Sequence, residues 1–243
     1  MTAAAAQVEW GERIPDPEWE VYHLAIREAR RLGIPFAFGG AFALAVYTGS
    51  LRNTKDFDFY VRPEDRDAMV RALTAAGLED YFDRLPYDRS WIYRGSRDDI
   101  IVDVIWAMAN QRARVDDEWL TQGPEITIRG ERLHPIPVEE LIWSKLYVLQ
   151  RERCDWGDVL NLLDAQASAV DWKRLLGRLG EDRPLLAGAL ALFAWLVPDR
   201  VDHVPVEVWS QLGVSRPGRE PPGDLSARVK LLDSRPWFTR QLS

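Results

Sequence analysis

The chain has 243 residues, of which 47% are hydrophobic and eleven are tryptophan, a composition that excludes a disordered protein. A net charge of −7 argues against a broad surface for gripping nucleic-acid phosphates, although a local basic patch is compatible with it. No apolar run reaches the length of a membrane span, the N-terminus lacks the pattern of a secretion signal, and one cysteine cannot form an internal disulfide. We therefore expect a cytoplasmic protein with no membrane partner.

Helix and strand patterns alternate over the first half of the chain. Asp16-Pro17 is typical of a helix start and Gly33 of a helix end, which predicts a helix over 16–32. The following predicted elements are a strand over 34–38, a helix over 40–48, a strand over 55–61, a helix over 63–77, strands around 79–82, 90–94 and 100–106, and a hairpin over 125–133. This order predicts an α+β fold over 1–134, with helices flanking a short mixed sheet.

Pro135 and Pro137 mark a boundary, and the pattern beyond them is helical. Helices are predicted over 138–150, 155–167, 171–179 and 184–196, with a weaker one over 206–212. They predict a helical C-terminal region over 135–213, which either supports the core or binds an acceptor. The last part, 214–243, is rich in proline, glycine and arginine, and we expect an extended tail there.

Two short motifs near the predicted sheet carry candidate chemistry. Gly39 and Gly40 join a strand to a helix N-terminus, where free N–H groups and the helix dipole favour an anion. Asp56 and Asp58 lie at i and i+2, a spacing that puts both carboxylates on one face of a strand. Two carboxylates that close favour a cation between them, and hard oxygen ligands select Mg²⁺ or Mn²⁺. Either motif alone is weak, whereas the two together are a much stronger signal.

Phe38-Gly39-Gly40, followed by Asp56-Phe57-Asp58-Phe59, resembles the signature of the nucleotidyltransferase fold of the DNA polymerase β superfamily. More narrowly, the chain resembles the small bacterial nucleotidyltransferases, a group that includes abortive-infection type toxins. The resemblance covers about residues 34–165, because it extends to a helix carrying Lys145 and a link that contains arginine and aspartate.

The resemblance implies a set of site residues. It requires a third carboxylate on a neighbouring strand, and Asp103 within the β-forming run 99–106 is the candidate, its alternative role being a strand-edge aspartate facing solvent. Asp56, Asp58 and Asp103 are then expected to hold Mg²⁺ or Mn²⁺. Gly39, Gly40 and Ser50 are expected to bind the β- and γ-phosphates of a nucleoside triphosphate, with Arg52, Lys55 and Lys145 contacting phosphate or acceptor.

Plainer roles remain open for the charged residues of this set. Arg52 and Lys55 could belong to a solvated turn, and the Lys145 head could extend harmlessly to water. Asp155 fits the N-cap position of the next helix, and Asp158 could pair with a neighbouring arginine, either Arg151 or Arg153.

The reaction implied by the resemblance is attack of an acceptor hydroxyl on the α-phosphate of the triphosphate, with release of pyrophosphate. The acceptor could be an RNA end such as that of tRNA, a protein hydroxyl or a small molecule. A toxin with an antitoxin protein as partner is one version. The alternatives are a non-catalytic nucleotide- or partner-binding protein that keeps the fold, and a glycosyltransferase, which the glycine pair and Asp103 disfavour.

Overall fold

The computed structural model describes residues 6–52, 54–216, 218 and 228. The chain forms two compact units, Met1–Pro137 and Val138–Ser243, called the N-terminal and the C-terminal unit below. Of the tail predicted over 214–243, all positions except 214–216, 218 and 228 lie outside the described residues.

Two sheets provide the strands of the N-terminal unit. The strands are β1 (Ala6–Gln7), β2 (Ala37–Phe38), β3 (Asp56–Tyr60), β4 (Glu79–Asp80), β5 (Ile92–Arg97), β6 (Ile100–Ile105), β7 (Ile126–Ile128) and β8 (Glu131–Leu133). The larger sheet has the order β2-β3-β6-β5-β4 and the smaller one the order β1-β7-β8. In the larger sheet β3 and β6 are parallel, whereas the other neighbours are antiparallel. The sheet is therefore mixed.

Helices flank the larger sheet of the N-terminal unit. They are α1 (Asp16–Arg31), α2 (Gly40–Thr48), α3 (Arg66–Ala75) and the short α4 (Asp117–Thr121). Helices α1 and α3 contact each other and also strand β6, while α2 contacts β3. The predicted α+β class, a short mixed sheet flanked by helices, is confirmed.

Several predicted strands lie in the right place but have the wrong length. The strand expected over 34–38 is reduced to β2, because Pro35 has no N–H to donate to a ladder. Only β4 forms from the strand expected over 79–82, and a 3₁₀ turn over Tyr81–Asp83 follows it. Strand β5 begins two residues late and continues to a two-residue turn, in which Asp98 has a φ of +56°.

The core of the N-terminal unit is built around the two phenylalanines of β3. Phe57 and Phe59 are almost fully buried, whereas Asp56 and Asp58 on the other face are half-buried, which confirms the predicted alternation. The Phe57 ring lies 4.8 Å from that of Phe59, 5.3 Å from that of Tyr22 and 5.5 Å from that of Phe42, measured between centroids. This aromatic cluster ties β3 to α1 and α2, and so fixes which face of the strand carries the carboxylates.

The C-terminal unit is helical in its described residues. Its helices are α5 (Val138–Leu146), α6 (Trp156–Gln166), α7 (Trp172–Leu179), α8 (Arg183–Leu196) and α9 (Val206–Gln211). Helix α5 ends four residues earlier than the predicted helix over 138–150. The chain reverses after it, and the N–H groups of Asp155 and Gln150 donate to the carbonyls of Val148 and Arg153. Within the described ranges, every helix falls short of the length and apolar character needed to cross a membrane.

Truncation of Phe57 to alanine tests the core assignment. We expect Phe57→Ala to lower the free energy of unfolding by about 3–5 kcal/mol, because the residue is buried and its cavity cannot collapse fully. Urea denaturation followed by tryptophan fluorescence measures this change. As a control, Leu85→Ala removes a side chain that is 59% exposed, and we expect it to cost about 0.5 kcal/mol or less. Equal losses for the two variants would contradict the assignment.

Candidate active site

The glycine pair lies between β2 and α2, as the sequence predicts. The Gly39 N–H donates to the Asp58 carbonyl at 3.0 Å, which continues the pairing of β2 with β3. A Cβ on Gly39 would lie 2.0 Å from Cε2 of Tyr60. Gly40 has a φ of +56°, and a Cβ there would lie 1.6 Å from Oδ2 of Asp58. Both positions therefore require glycine, and the Asp58 carboxylate lies directly against the N-terminus of α2.

Asp56 and Asp58 share the face of β3 that is turned away from the aromatic cluster. The Asp56 N–H donates to Thr54 Oγ1 at 3.3 Å, so the residue before the strand helps to fix its start. Both residues are half-buried, so this face of β3 is partly exposed to water. This face of β3 can therefore reach a ligand from solvent.

Asp103 lies beside Asp58 on the neighbouring strand. Strands β3 and β6 are parallel with Asp58 opposite Asp103, and residues opposite each other point to the same face of a sheet. Asp103 is 3% exposed. The third carboxylate that the sequence analysis expects on a neighbouring strand is thus present in this register.

Asp103 is bound by Arg94, a residue outside the site predicted from the sequence. The Arg94 Nε donates to Asp103 Oδ1 at 2.8 Å, and its Nη2 donates to Oδ2 at 2.7 Å. Hydrogen bonding to Asp103, together with the negative charges of Asp103, Asp56 and Asp58, raises the pKa of Arg94 above its usual value. Arg94 therefore offsets the repulsion among the three carboxylates of this face.

The donor chemistry of this face suits a divalent cation, because carboxylate oxygens are the ligands that Mg²⁺ and Mn²⁺ prefer. The backbone register also places Asp58 and Asp103 next to each other. Among the described residues, however, no three side chains of the Asp, Glu, His and Cys types are gathered closely enough to hold a metal ion. The three aspartates therefore fit a metal ion in their ligand type and in their placement on the two strands. The Asp103 carboxylate, however, is hydrogen-bonded to Arg94.

Three predicted phosphate-binding residues, Ser50, Arg52 and Lys55, lie between the glycine pair and Asp56 in the sequence. Arg52 borders a cavity of about 190 Å³, and its other walls come from residues 13–15 before α1, Glu18 of α1, Phe42 of α2, Leu51 and Thr54. Lys55 is exposed, and its charge opposes the burial that raises the pKa of Glu18, a residue of the same cavity wall. Ser50 follows the C-terminal end of α2, roughly 12 Å along the helix from Gly40. The structure thus does not bring Ser50 to the glycine turn.

Lys145 lies buried in the C-terminal unit, between two carboxylates. Its Nζ donates to Asp158 Oδ2 at 2.6 Å and to Asp155 Oδ2 at 3.1 Å, and Arg153 also donates to both oxygens of Asp155. Burial raises the pKa of Asp155, but the bonds from Arg153 and the charge of Lys145 outweigh it and hold that pKa below its usual value. These ion pairs account for the burial of Lys145 without a ligand, and its phosphate or acceptor role stays a prediction.

Asp155 does occupy the N-cap position of α6, but its side chain makes no capping hydrogen bond. The predicted capping role is therefore wrong. The reason is that the carboxylate is used by Lys145 and Arg153 instead. Asp158 forms an ion pair, as expected, and Lys145 is a cation of that pair which the sequence did not predict.

A family model described as "Uncharacterised nucleotidyltransferase" matches residues 23–197, which is most of the chain. The chain belongs to this nucleotidyltransferase family. The matched range contains the glycine pair and all three aspartates, and membership confirms the prediction of a nucleotidyltransferase. The narrower resemblance to abortive-infection toxins stays a prediction.

Several solved structures are similar to this chain. Antibiotic-resistance factor ANT(2'')-Ia has 19% sequence identity, covering 78% of this chain and 100% of that one, with a TM-score of 0.44. The lincosamide antibiotic adenylyltransferase LnuA has 14% identity, covering 61% of this chain and 98% of that one, with a TM-score of 0.44. JHP933 from Helicobacter pylori has 14% identity, covering 86% and 90%, with a TM-score of 0.41. No curated protein matches the chain.

A signal for Arg94 was present in the sequence. Strands β5 and β6 form a hairpin whose two turn residues are Asp98 and Asp99, and this turn pairs Arg94 with Asp103. In a hairpin with a two-residue turn at Asp98 and Asp99, the residues four positions before and after the turn ends lie opposite each other. These residues are Arg94 and Asp103. The predicted strand over 90–94 stopped too early to make this pairing visible.

Replacement of Gly40 by alanine tests the close approach of Asp58. We expect Gly40→Ala to destabilise the fold by about 3 kcal/mol or more, because the new Cβ needs a left-handed φ and also collides with the carboxylate. Gly49→Ala is the matched control, since Gly49 has a φ of +75° and a Cβ added there would meet nothing within 4 Å. The control should lose about 1–2 kcal/mol from backbone strain alone. Urea unfolding measures both, and equal losses would exclude the collision.

Replacement of Lys145 tests whether its ion pairs are structural. Lys145→Met leaves two buried carboxylates without their ammonium, and we expect a loss of about 3–5 kcal/mol in the free energy of unfolding. Lys173→Met, at an exposed position of α7, should change it by about 0.5 kcal/mol or less. A stable Lys145→Met variant that fails to bind nucleoside triphosphate would instead favour the ligand role.

Proposed function

We propose that this nucleotidyltransferase is metal-dependent and moves a nucleoside monophosphate from a nucleoside triphosphate to a hydroxyl acceptor. The observation that carries the proposal is the set of three aspartates, Asp56, Asp58 and Asp103, on one face of two adjacent strands. This set lies beside a glycine turn that requires glycine at both positions. The family match supports nucleotidyl transfer in general.

The chain offers residues for each part of this reaction. Asp56, Asp58 and Asp103 would hold Mg²⁺ or Mn²⁺, which when bound supplies polarisation of the phosphate and a lower pKa of a bound hydroxyl. The N–H groups of the first turn of α2, after Gly39 and Gly40, would donate to phosphate oxygens. Arg52 and Lys55 add positive charge for the triphosphate.

The bond changes follow from in-line displacement. The acceptor oxygen forms a bond to the α-phosphorus, and the bond from that phosphorus to the oxygen bridging to the β-phosphate breaks, so pyrophosphate leaves. Asp103 accepts the hydroxyl proton. Arg94 donates to both oxygens of Asp103, so proton transfer requires that this pairing is loosened in the assembled site.

For the acceptor, we place a small-molecule hydroxyl before a protein hydroxyl or an RNA end such as that of tRNA. A net charge of −7 gives little general attraction for polyanionic RNA. The toxin version of the proposal, with an antitoxin partner, requires instead that RNA or a cellular protein is labelled and that expression arrests growth.

A non-catalytic nucleotide-binding protein is the second candidate function. The specific observation in its favour is that both oxygens of Asp103 are occupied by Arg94. The two candidates differ in one result, because the non-catalytic protein binds triphosphate without transferring label to any acceptor.

Transfer of label tests the proposed function. Purified protein is incubated with each α-labelled triphosphate, Mg²⁺, and separate pools of RNA, protein and small-molecule extract. We expect label on one pool, and a loss of about 100-fold or more in Asp58→Asn, because a charge that stabilises the transition state is removed. Asp99→Asn at the exposed β5–β6 turn is the control with the same charge change, and it should retain activity. Label in no pool despite triphosphate binding would favour the second candidate.

A further inference from the structure

Arg94 and Asp103 form a fork-to-fork ion pair between neighbouring strands. Arg94 on β5 lies opposite Asp103 on β6 in the strand register. The backbone pairing of the two strands therefore holds the two side chains that form the two hydrogen bonds next to each other. A guanidinium in this geometry occupies both carboxylate oxygens at once, and it stays charged at every accessible pH. Loss of the guanidinium charge therefore cannot release Asp103 from Arg94.

The two partners differ in how freely they can move. The Asp103 side chain is 4% exposed, whereas the Arg94 side chain is 30% exposed. The guanidinium carbon of Arg94 also lies 5.9 Å from the Tyr81 ring centroid. An arginine that leaves Asp103 thus has an aromatic face and water within reach, so Arg94 is the partner that can move.

Arg94 also meets the charge requirement of the whole face. Three carboxylates side by side need a positive charge, and Arg94 interacts with Asp103 directly and with the charges of Asp56 and Asp58. A divalent cation bound by the same aspartates would meet the same requirement. One carboxylate cannot offer the same lone pairs to a guanidinium fork and to a metal ion, so the two cations compete.

We propose that Arg94 is a positioning residue that holds Asp103 in the metal-free site, and that a divalent cation gains Asp103 as a ligand only by displacing Arg94. This inference rests on the proposed function, because it takes the three aspartates as the metal ligands. Arg94 then sets the metal affinity of the site. It also holds the Asp103 carboxylate in one orientation while no metal is present.

Binding of Mn²⁺ alone, followed by the electron paramagnetic resonance signal of free Mn²⁺, tests the competition without any turnover. We expect Arg94→Met to bind Mn²⁺ about tenfold more tightly than the wild type or more, since two charge-assisted hydrogen bonds no longer oppose binding. The matched control is Arg97→Met, which removes the same charge from the same strand, three residues away and on the opposite face. Arg97→Met should bind Mn²⁺ like the wild type.

A second substitution shows whether the gain acts through Asp103. In the Arg94→Met background, Asp103→Asn should return Mn²⁺ affinity to the wild-type level or below it, because the released ligand is lost. Persistence of the tight binding in this double variant would overturn the proposal, since the gain would then be a general effect of charge removal. The proposal also fails if Arg94→Met equals Arg97→Met, or binds more weakly than the wild type, as expected of a purely structural support.

Removal of Arg94 leaves Asp103 buried, so folding is checked by circular dichroism. Arg94→Lys is the second test variant, because it keeps a charge but lacks the fork. We expect it to bind Mn²⁺ a few-fold more tightly than the wild type, and unchanged binding in a folded Arg94→Lys protein would overturn the proposal. If the wild type binds Mn²⁺, Asp58→Asn weakens that binding, and the Arg94 variants bind Mn²⁺ like the wild type, this inference alone is contradicted. If neither the wild type nor any variant binds Mn²⁺, both the proposed function and this inference are contradicted.

Discussion

The need to place three negative charges side by side governs the N-terminal unit. Asp56, Asp58 and Asp103 share one face of two hydrogen-bonded strands, where their mutual repulsion opposes folding. Arg94 offsets this repulsion from the third strand of the same sheet, by hydrogen bonds to Asp103 and by its charge. The fixed register of the sheet holds the three carboxylates in place relative to one another.

The opposite face of β3 provides the energy that holds this arrangement. Phe57 and Phe59 lie in an aromatic cluster, and a slip of one residue would turn the phenylalanines to solvent and the aspartates into the core. The glycine pair completes the constraint, because Gly40 leaves space for the Asp58 carboxylate at the start of α2. Core packing and site geometry are therefore set by the same five-residue strand.

The C-terminal unit solves a similar problem with different residues. Lys145 is buried between Asp155 and Asp158, and the fully buried Glu140 accepts hydrogen bonds from two arginines of α7, Arg174 and Arg178. These buried charges, like Asp103 in the N-terminal unit, are thus paired with cations, as the cost of desolvation demands. Such pairing explains why a lysine inside a motif of the family resemblance need not contact a ligand to be buried.

The sequence by itself determined the α+β class, the alternation of β3, the glycine turn and the three aspartates, because these follow from local spacing and from the period of a strand. It also pointed to the nucleotidyltransferase family. The tertiary structure decided what each charge binds. Arg94 and Asp103 meet only through the pairing of β5 with β6, Asp155 serves Lys145 instead of capping α6, and Ser50 lies beyond the far end of α2. These contacts depend on where strands end and chains reverse, which local propensity does not fix.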